Sequence, residues 1–310
     1  MPKKIVVILG PTSSGKTDLS IKLALRLNSG QAKKKFGING AEIVSADSRQ
    51  VYKGMDIGTG KITKKEMQGI PHYLLGVVSP KKRFDVAQFK ELANKAIDKI
   101  FKKNKIPFIV GGTGFYIQAI VDGISIPEVK PDWKLRKKLE KKTLSELYKM
   151  LQKLDPRRAM DIDKNNPRRL IRALEIVLKS KSPIPPLRPK NPNFKALFLG
   201  VKRDKKELKK LIEKRLLKRL EAGMIDEVKK LHRSGVSWKR LEEFGLEYRF
   251  VAQYLQNKLK YDEMVSRLQK EIEHYAKRQM TWFKRDKRIK WVKNSQEVEK
   301  LVRGFLLTNK

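Results

Sequence analysis

The sequence predicts an α/β protein: a parallel β-sheet core flanked by helices, with an inserted all-helical subdomain. Three observations carry this expectation. Short apolar runs alternate with helical segments, the first run leads directly into a glycine-rich phosphate-binding pattern, and after Gly123 the alternation gives way to helical periodicity alone.

Residues 5–9, IVVIL, are a continuous apolar run of the kind required by a strand covered on both sheet faces. GPTSSGKT follows over residues 10–17, and DLSIKLALRL after it has helical spacing. The pattern G-x-x-x-x-G-K-[ST] between strand and helix is a phosphate cradle: glycines let backbone N–H groups converge, Lys16 adds a point charge, and the Thr17 hydroxyl suits Mg²⁺. A chance glycine-rich turn would not set strand, loop and helix in that order, so the core is expected to be P-loop NTPase-like. The loop alone leaves open whether ATP, GTP or another molecule carries the phosphates. SGQAKKKFGING, residues 29–40, reads as an exposed loop, and AEIVSA before Asp47 as the second strand. FKELANKAIDKIF, residues 89–101, places Leu92, Ala96, Ile97 and Ile100 on one face, as a crossover helix requires. IPFIVGG, ending at Gly112, and KALFLGV, residues 195–201, supply two further strands, and IKWV, residues 289–292, an edge strand.

From Asp132 to about Lys181 the pattern is helical throughout, in DWKLRKKLEKK, LSELYKMLQKL and PRRLIRALEIVL, until the proline-rich SPIPPLRPKNP returns the chain to a strand. Residues 124–193 are therefore expected to be an inserted helical subdomain, and residues 1–123 with 194–310 the core and its C-terminal helices. Within the insertion Arg168 and Arg172, four apart, are expected to point outward together, opposite a buried stripe of Ile171, Leu174 and Leu178. Residues 205–285 are again helical and strongly basic.

The chain has 310 residues, with 73 Lys and Arg against 33 Asp and Glu, a net charge of +40 that points to a polyanionic partner and to nucleic acid first. The competing explanation is a solvated lysine-rich surface, as in KKLEKK. There are no cysteines, which excludes disulfides and thiolate metal sites, and His72, His232 and His274 are too scattered for a metal cluster. No run reaches the roughly 18 apolar residues that span a bilayer. The strand-like N-terminal run leaves no room for a signal peptide, so a cytoplasmic location is expected, with no membrane partner and no requirement beyond a monomer.

Ligands of such sheets bind at the carboxyl ends of the strands. Three segments therefore converge: the loop of residues 10–17, DSRQVY (residues 47–52) and GGTGFY (residues 111–116). Asp47 is the acid nearest the cradle. It is either a metal ligand or turn cap, or the general base for a nucleophile attacking the phosphate-bearing substrate, and the residues alone leave both open.

GPTSSGKT, DSRQVYKGMDIGTGK, IPHYLLGVVSP, IVGGTGFY, NPRRLIRALEI, AGMIDEVKKL and YAKRQMTWF occur in the order and spacing of tRNA dimethylallyltransferases, also called tRNA isopentenyltransferases, and the resemblance covers nearly the whole chain. It implies transfer of a dimethylallyl group from dimethylallyl diphosphate to N6 of the adenosine 3′ of the anticodon, in tRNAs reading codons that begin with U. On this reading Gly10, Pro11, Thr12, Ser13, Ser14, Gly15, Lys16 and Thr17 hold the leaving diphosphate, with Mg²⁺ at Thr17. Arg215 shares the diphosphate charge, and Asp47 accepts the N6 proton. The tRNA anticodon stem loop, its adenine flipped out of the stack, is implied to contact Asp47, Ser48, Arg49, Gln50, Thr113 and Arg136. Asn166, Pro167, Arg168, Arg169 and Leu170, and the EFGLE segment with Phe244, Gly245 and Glu247, are implied to do the same. Trp282 and Phe283 read as core. The chain differs from the family's usual "GY[RK]" at FGLEYR, and its loop of residues 29–40 is longer than usual. Two other enzyme classes share part of the signal: adenylate isopentenyltransferases, which do not need a basic helical insertion, and P-loop kinases or NTPases. A catalytically dead RNA-binding module would not need an intact GPTSSGKT and Asp47.

Overall fold

The computed structural model describes residues 3–185, 194–292 and 294–308. These fall into two compact units, one of residues 3–123 with 194–308 and one of residues 124–185.

In the first unit, β1 (Lys3–Leu9) sends Ile5, Val7 and Leu9 into one apolar cluster and Val6 and Ile8 into another, so both its faces are covered. α1 (Lys16–Leu27) follows the phosphate loop. α2 (Gln31–Phe36) corrects the expected exposed loop: Ala32 is buried, and Phe36 and Ile38 pack on the cluster that holds Val6 and Ile8. Two apolar residues four apart among lysines are too short a pattern for periodicity to reveal. β2 (Ala41–Ser45), α3 (Lys64–Met67), β3 (His72–Tyr73), α4 (Val86–Lys102), β4 (Ile106–Gly111) and α5 (Gly114–Val121) come next. α4 is capped by Asp85 and buries Phe89, Ala93, Ala96, Ile97 and Ile100, with Leu92 partly buried at the edge of the same face. β3 has only two residues and was not expected; it borrows its ladder from β2 rather than from any run of its own.

The second unit contains only helices among its described residues: α6 (Trp133–Leu139), α7 (Leu144–Leu154), α8 (Pro156–Asp161) and α9 (Pro167–Ser180). Leu147, Leu151, Leu170 and Leu174 form its centre. At its heart Glu175, fully buried, accepts bonds from Arg136 Nε at 2.8 Å, Arg136 Nη2 at 2.7 Å, Arg172 Nη1 at 2.5 Å and the Asp132 N–H at 2.6 Å. Two expectations are corrected here. Arg172 turns inward to Glu175 instead of outward beside Arg168, because a buried carboxylate needs a partner more than a surface needs another cation. Leu178 is exposed, since the buried stripe advances through Leu170, Ile171, Leu174 and Val177. The proline-rich break is described only as far as Pro185; its remainder lies outside the described residues. Burial alone would raise the Glu175 carboxyl, but the bonds from Arg136, Asp132 and Arg172 outweigh it and hold the group below its ordinary value. Glu175→Ala should therefore destabilise this unit by about 3 kcal/mol, because it leaves two partly buried guanidinium groups without their shared carboxylate. Hydrogen exchange should show α6 and α9 losing protection while α1 and α4 keep theirs.

The first unit resumes with β5 (Phe194–Val201), α10 (Lys205–Glu221), α11 (Met224–Arg233), α12 (Trp238–Phe244), α13 (Leu246–Leu255), α14 (Tyr261–Phe283), β6 (Lys290–Val292) and α15 (Ser295–Leu307). The sheet is parallel throughout, in the order β3-β2-β4-β1-β5-β6. The register aligns Leu9 of β1 with Gly111 of β4 and Gly200 of β5, and Ser45 of β2 with Val110. The four loops that follow these strands therefore leave the sheet at one level. α10 to α14 build a separate cluster with Val51, Tyr52 and Met55. This ties the helical C-terminal region to the loop after β2. Among the described residues no helix is long and apolar enough to cross a membrane.

Candidate active site

The loop between β1 and α1 turns on two residues in the left-handed region, Ser13 (φ 59°) and Gly15 (φ 88°). Gly15 occupies the N-cap of α1, where the first N–H groups have no intrahelical acceptor and the helix dipole favours an anion. Lys16 Nζ reaches back across the loop to the Pro11 carbonyl at 3.2 Å. The loop is held from outside at two points. Gln279 of α14, buried, accepts the Thr12 N–H at 2.9 Å and donates to the Gly112 carbonyl at 2.9 Å, which bridges the loop to the end of β4. Arg203, just beyond β5, donates to the Ser14 carbonyl at 3.2 Å. Ser14 itself is fully buried, with a hydroxyl that has no partner among the described residues.

Asp47 lies at the end of β2. One carboxylate oxygen accepts the N–H groups of Arg49 at 2.8 Å and Gln50 at 3.3 Å, which caps the tight turn of DSRQ. Thr113 fixes the same turn from β4, accepting the Ser48 N–H at 3.1 Å. The second Asp47 oxygen enters no hydrogen bond among the described residues. Asp47 and Thr17 line the same pocket as Lys16, Arg49, Gln50, Arg215, Arg219 and Glu247. Hard oxygen donors of this kind suit Mg²⁺, which takes few protein ligands and fills its shell with substrate oxygens and water. Among the described residues no group of three or more His, Cys, Asp or Glu side chains converges as a metal cage.

The electrostatics of this pocket are those of an anion site. Four cations, Lys16, Arg49, Arg215 and Arg219, face two carboxylates, Asp47 and Glu247. Burial, and after it the nearby Arg215, lowers the Lys16 ammonium to about 8. Burial, and after it Arg219, lowers Arg215 to about 10. Glu247 is pushed up by burial even though Arg219 pairs with it at 2.8 Å. An incoming polyanion would relieve this crowding of like charges. Tyr275 of α14 completes the wall with a phenol that burial keeps protonated.

The structure places the other expected contacts unevenly. Arg49 donates from Nε to the Phe244 carbonyl at 2.7 Å, so it braces the α12–α13 corner as well as lining the pocket. Gly245 (φ 75°) and Leu246 (φ 41°) make that corner, and both line the pocket. Phe244 lines the pocket as well, with its ring largely buried against Tyr52, 4.9 Å between ring centres. The Leu170 side chain is fully buried in the second unit. Arg136 is committed to Glu175, whereas Arg168 and Arg169 are exposed at the start of α9, which Asn166 caps and Pro167 opens. Trp282 and Phe283 pack on the core, Trp282 directly over Gly114. Sequence reasoning missed Arg203, Arg219, Glu227, Tyr275 and Gln279 as functional or supporting residues. AGMIDEV and YAKRQMTWF carried three of them, but nothing in their spacing says which atoms they reach.

The comparisons with known proteins agree with this geometry. A family model described as IPP transferase matches residues 50–286, and one described as Isopentenyl transferase matches residues 3–80. The chain is 42% identical over 291 residues to tRNA dimethylallyltransferase 1 of Syntrophus aciditrophicus, covering 93% of this chain and 92% of the relative. It is 38% identical over 311 residues to tRNA dimethylallyltransferase of Acetivibrio thermocellus, covering 97% and 96%. Among solved structures, the tRNA isopentenylpyrophosphate transferase of Bacillus halodurans is similar with a TM-score of 0.70 at 33% identity, over 98% of this chain and 95% of that one. A eukaryotic dimethylallyltransferase described as acting on tRNA is similar with a TM-score of 0.73 at 29% identity, over 90% and 69%.

Proposed function

The chain belongs to the IPP transferase family, and from that premise we propose that it transfers the dimethylallyl group of dimethylallyl diphosphate to N6 of the adenosine 3′ of a tRNA anticodon. The observation that carries this reading is the single pocket in which Lys16 of the P-loop and Arg215 share a wall with Asp47. Adenine N6 is a weak nucleophile because its lone pair is delocalised into the ring, so the departing diphosphate must be stabilised strongly. The N–H groups at the start of α1, with Lys16 and Arg215, are placed to do this. Mg²⁺, held by Thr17 and the diphosphate, would neutralise further charge on the leaving group when bound. As N6 bonds to the allylic C1, the C1–O bond breaks, diphosphate leaves, and the N6 proton passes to the free oxygen of Asp47.

The +40 charge supports a tRNA partner. Exposed Arg168 and Arg169 are the members of the second unit best suited to touch phosphate. Arg168→Ala should weaken tRNA binding and reduce the slope of log affinity against log salt by about 0.7–0.9, one phosphate contact; filter binding across a salt series reads this. An unchanged slope would remove Arg168 from the interface. The reaction itself is tested by offering labelled dimethylallyl diphosphate with Mg²⁺ to unmodified tRNA and, in parallel, to AMP. Label in the tRNA supports the proposal, label in AMP alone moves the protein to adenylate prenylation, and label in neither overturns it.

A further inference from the structure

Glu227, on α11, lies outside the pocket, yet its carboxylate gathers four donors. Oε2 accepts the N–H groups of Asp56 at 2.8 Å and Ile57 at 2.6 Å, and Oε1 accepts the Gly58 N–H at 3.0 Å and the Tyr248 hydroxyl at 2.7 Å. Three successive backbone N–H groups converging on one carboxylate form an anion nest filled by the protein's own side chain. The carbonyls of the same loop face the other way. Gly58 O accepts from Arg219 Nη1 at 3.1 Å, and Gly60 O from Arg215 Nη2 at 3.5 Å and Gln50 Nε2 at 3.3 Å.

The loop has no slack. A Cβ at Gly58 would meet the Tyr248 ring at 2.8 Å, and one at Gly60 would meet the Arg219 and Arg215 guanidinium nitrogens at 1.9 and 2.3 Å. Gly60 also has φ 58°. The loop's residues Gly58 and Thr59 line the pocket. A carboxylate on one side of the loop thus fixes carbonyls that hold two guanidinium groups on the other.

We propose that Glu227 is a positioning residue: by filling the nest of Asp56, Ile57 and Gly58 it sets Gly58 O and Gly60 O, and through them aims Arg215 and Arg219 at the diphosphate. The proposal rests on the transferase reading for its meaning but is tested by binding alone. The probe is inorganic pyrophosphate with Mg²⁺, measured by calorimetry on the full chain. Glu227→Gln keeps the shape but turns an NH₂ toward a donor, and should weaken pyrophosphate about tenfold. The decisive comparison is with Arg215→Ala. If Glu227 acts through Arg215, adding Glu227→Gln to Arg215→Ala should cost much less than tenfold, whereas independent effects would multiply. Tyr248→Phe, which removes one of the four donors and leaves the ring on Gly58, should give a smaller loss that also shrinks on the Arg215→Ala background, and it serves if Glu227→Gln fails to fold. Unchanged affinity in the folded variants, or losses that multiply, would overturn the proposal. A wild-type protein that binds pyrophosphate and shows this coupling but prenylates no RNA would sink the transferase reading and leave the positioning role standing.

Discussion

Asp47→Asn should lower kcat by about 10² or more while leaving the KM for dimethylallyl diphosphate within a few-fold of wild type. The substitution separates two roles that Asp47 combines. Its oxygen at the turn, which accepts the Arg49 and Gln50 N–H groups, survives as an amide carbonyl, so the DSRQ turn and its tie to Thr113 are kept. The other oxygen, which has no hydrogen bond among the described residues, becomes an NH₂ that cannot receive a proton. Asp47→Ala removes both functions and should lower kcat at least as far, with an added loss of order in the turn. Single-turnover prenyl transfer at saturating substrates measures the chemical step directly. Near-wild-type turnover in Asp47→Asn would make Asp47 a turn cap and would remove it from the chemistry.

The parts of this site that were legible in the sequence are those whose function depends on local order. GPTSSGKT lies between a strand and a helix because backbone N–H groups must converge at a helix start, and Asp47 and Thr113 follow strands because parallel sheets gather ligands at the carboxyl ends of their strands. Four apolar strand runs were legible because each is covered on both faces, and IKWV as an edge strand. The residues that aim the cations were not. Glu227 is 169 residues from Gly58, Gln279 is 267 from Thr12, and Arg203 is 189 from Ser14, so no periodicity links the partners. Arg172 and Arg136 show the converse. Both are surface-like in composition, but both turn inward because Glu175, an ordinary helix residue by spacing, is buried. Leu170 and Phe244 likewise fall in polar motifs while their side chains pack inside. Charge patterns in the sequence identify the class of partner; which cation is free to meet it is decided by buried carboxylates that only the fold reveals.

Lys16→Ala should cost roughly 10²–10³ in kcat, and the reaction's pH profile should reveal why. In the ligand-free site, burial and then Arg215 bring the Lys16 ammonium to about 8 from an ordinary 10.5, although Asp47 pulls the other way. Lys16 binds diphosphate as a cation, so kcat/KM for dimethylallyl diphosphate should fall as pH rises through about 8. In Lys16→Met that break should vanish from the residual activity. The saturated rate, kcat, should hold to higher pH, because bound diphosphate stabilises the ammonium and raises its proton affinity. Folding stability responds with the opposite sign. The unfolded chain keeps the Lys16 proton up to about 10.5 while the ligand-free fold releases it near 8, so the unfolded state binds more protons across that window and Lys16 makes the empty protein more stable as pH rises. Pyrophosphate should stabilise the fold more strongly at pH 7 than at pH 10, by the ratio of its affinities at the two values. Thermal shifts that grow with pH, or a kcat/KM profile flat through pH 8 in wild type, would place the proton on another group and take Lys16 out of the cradle.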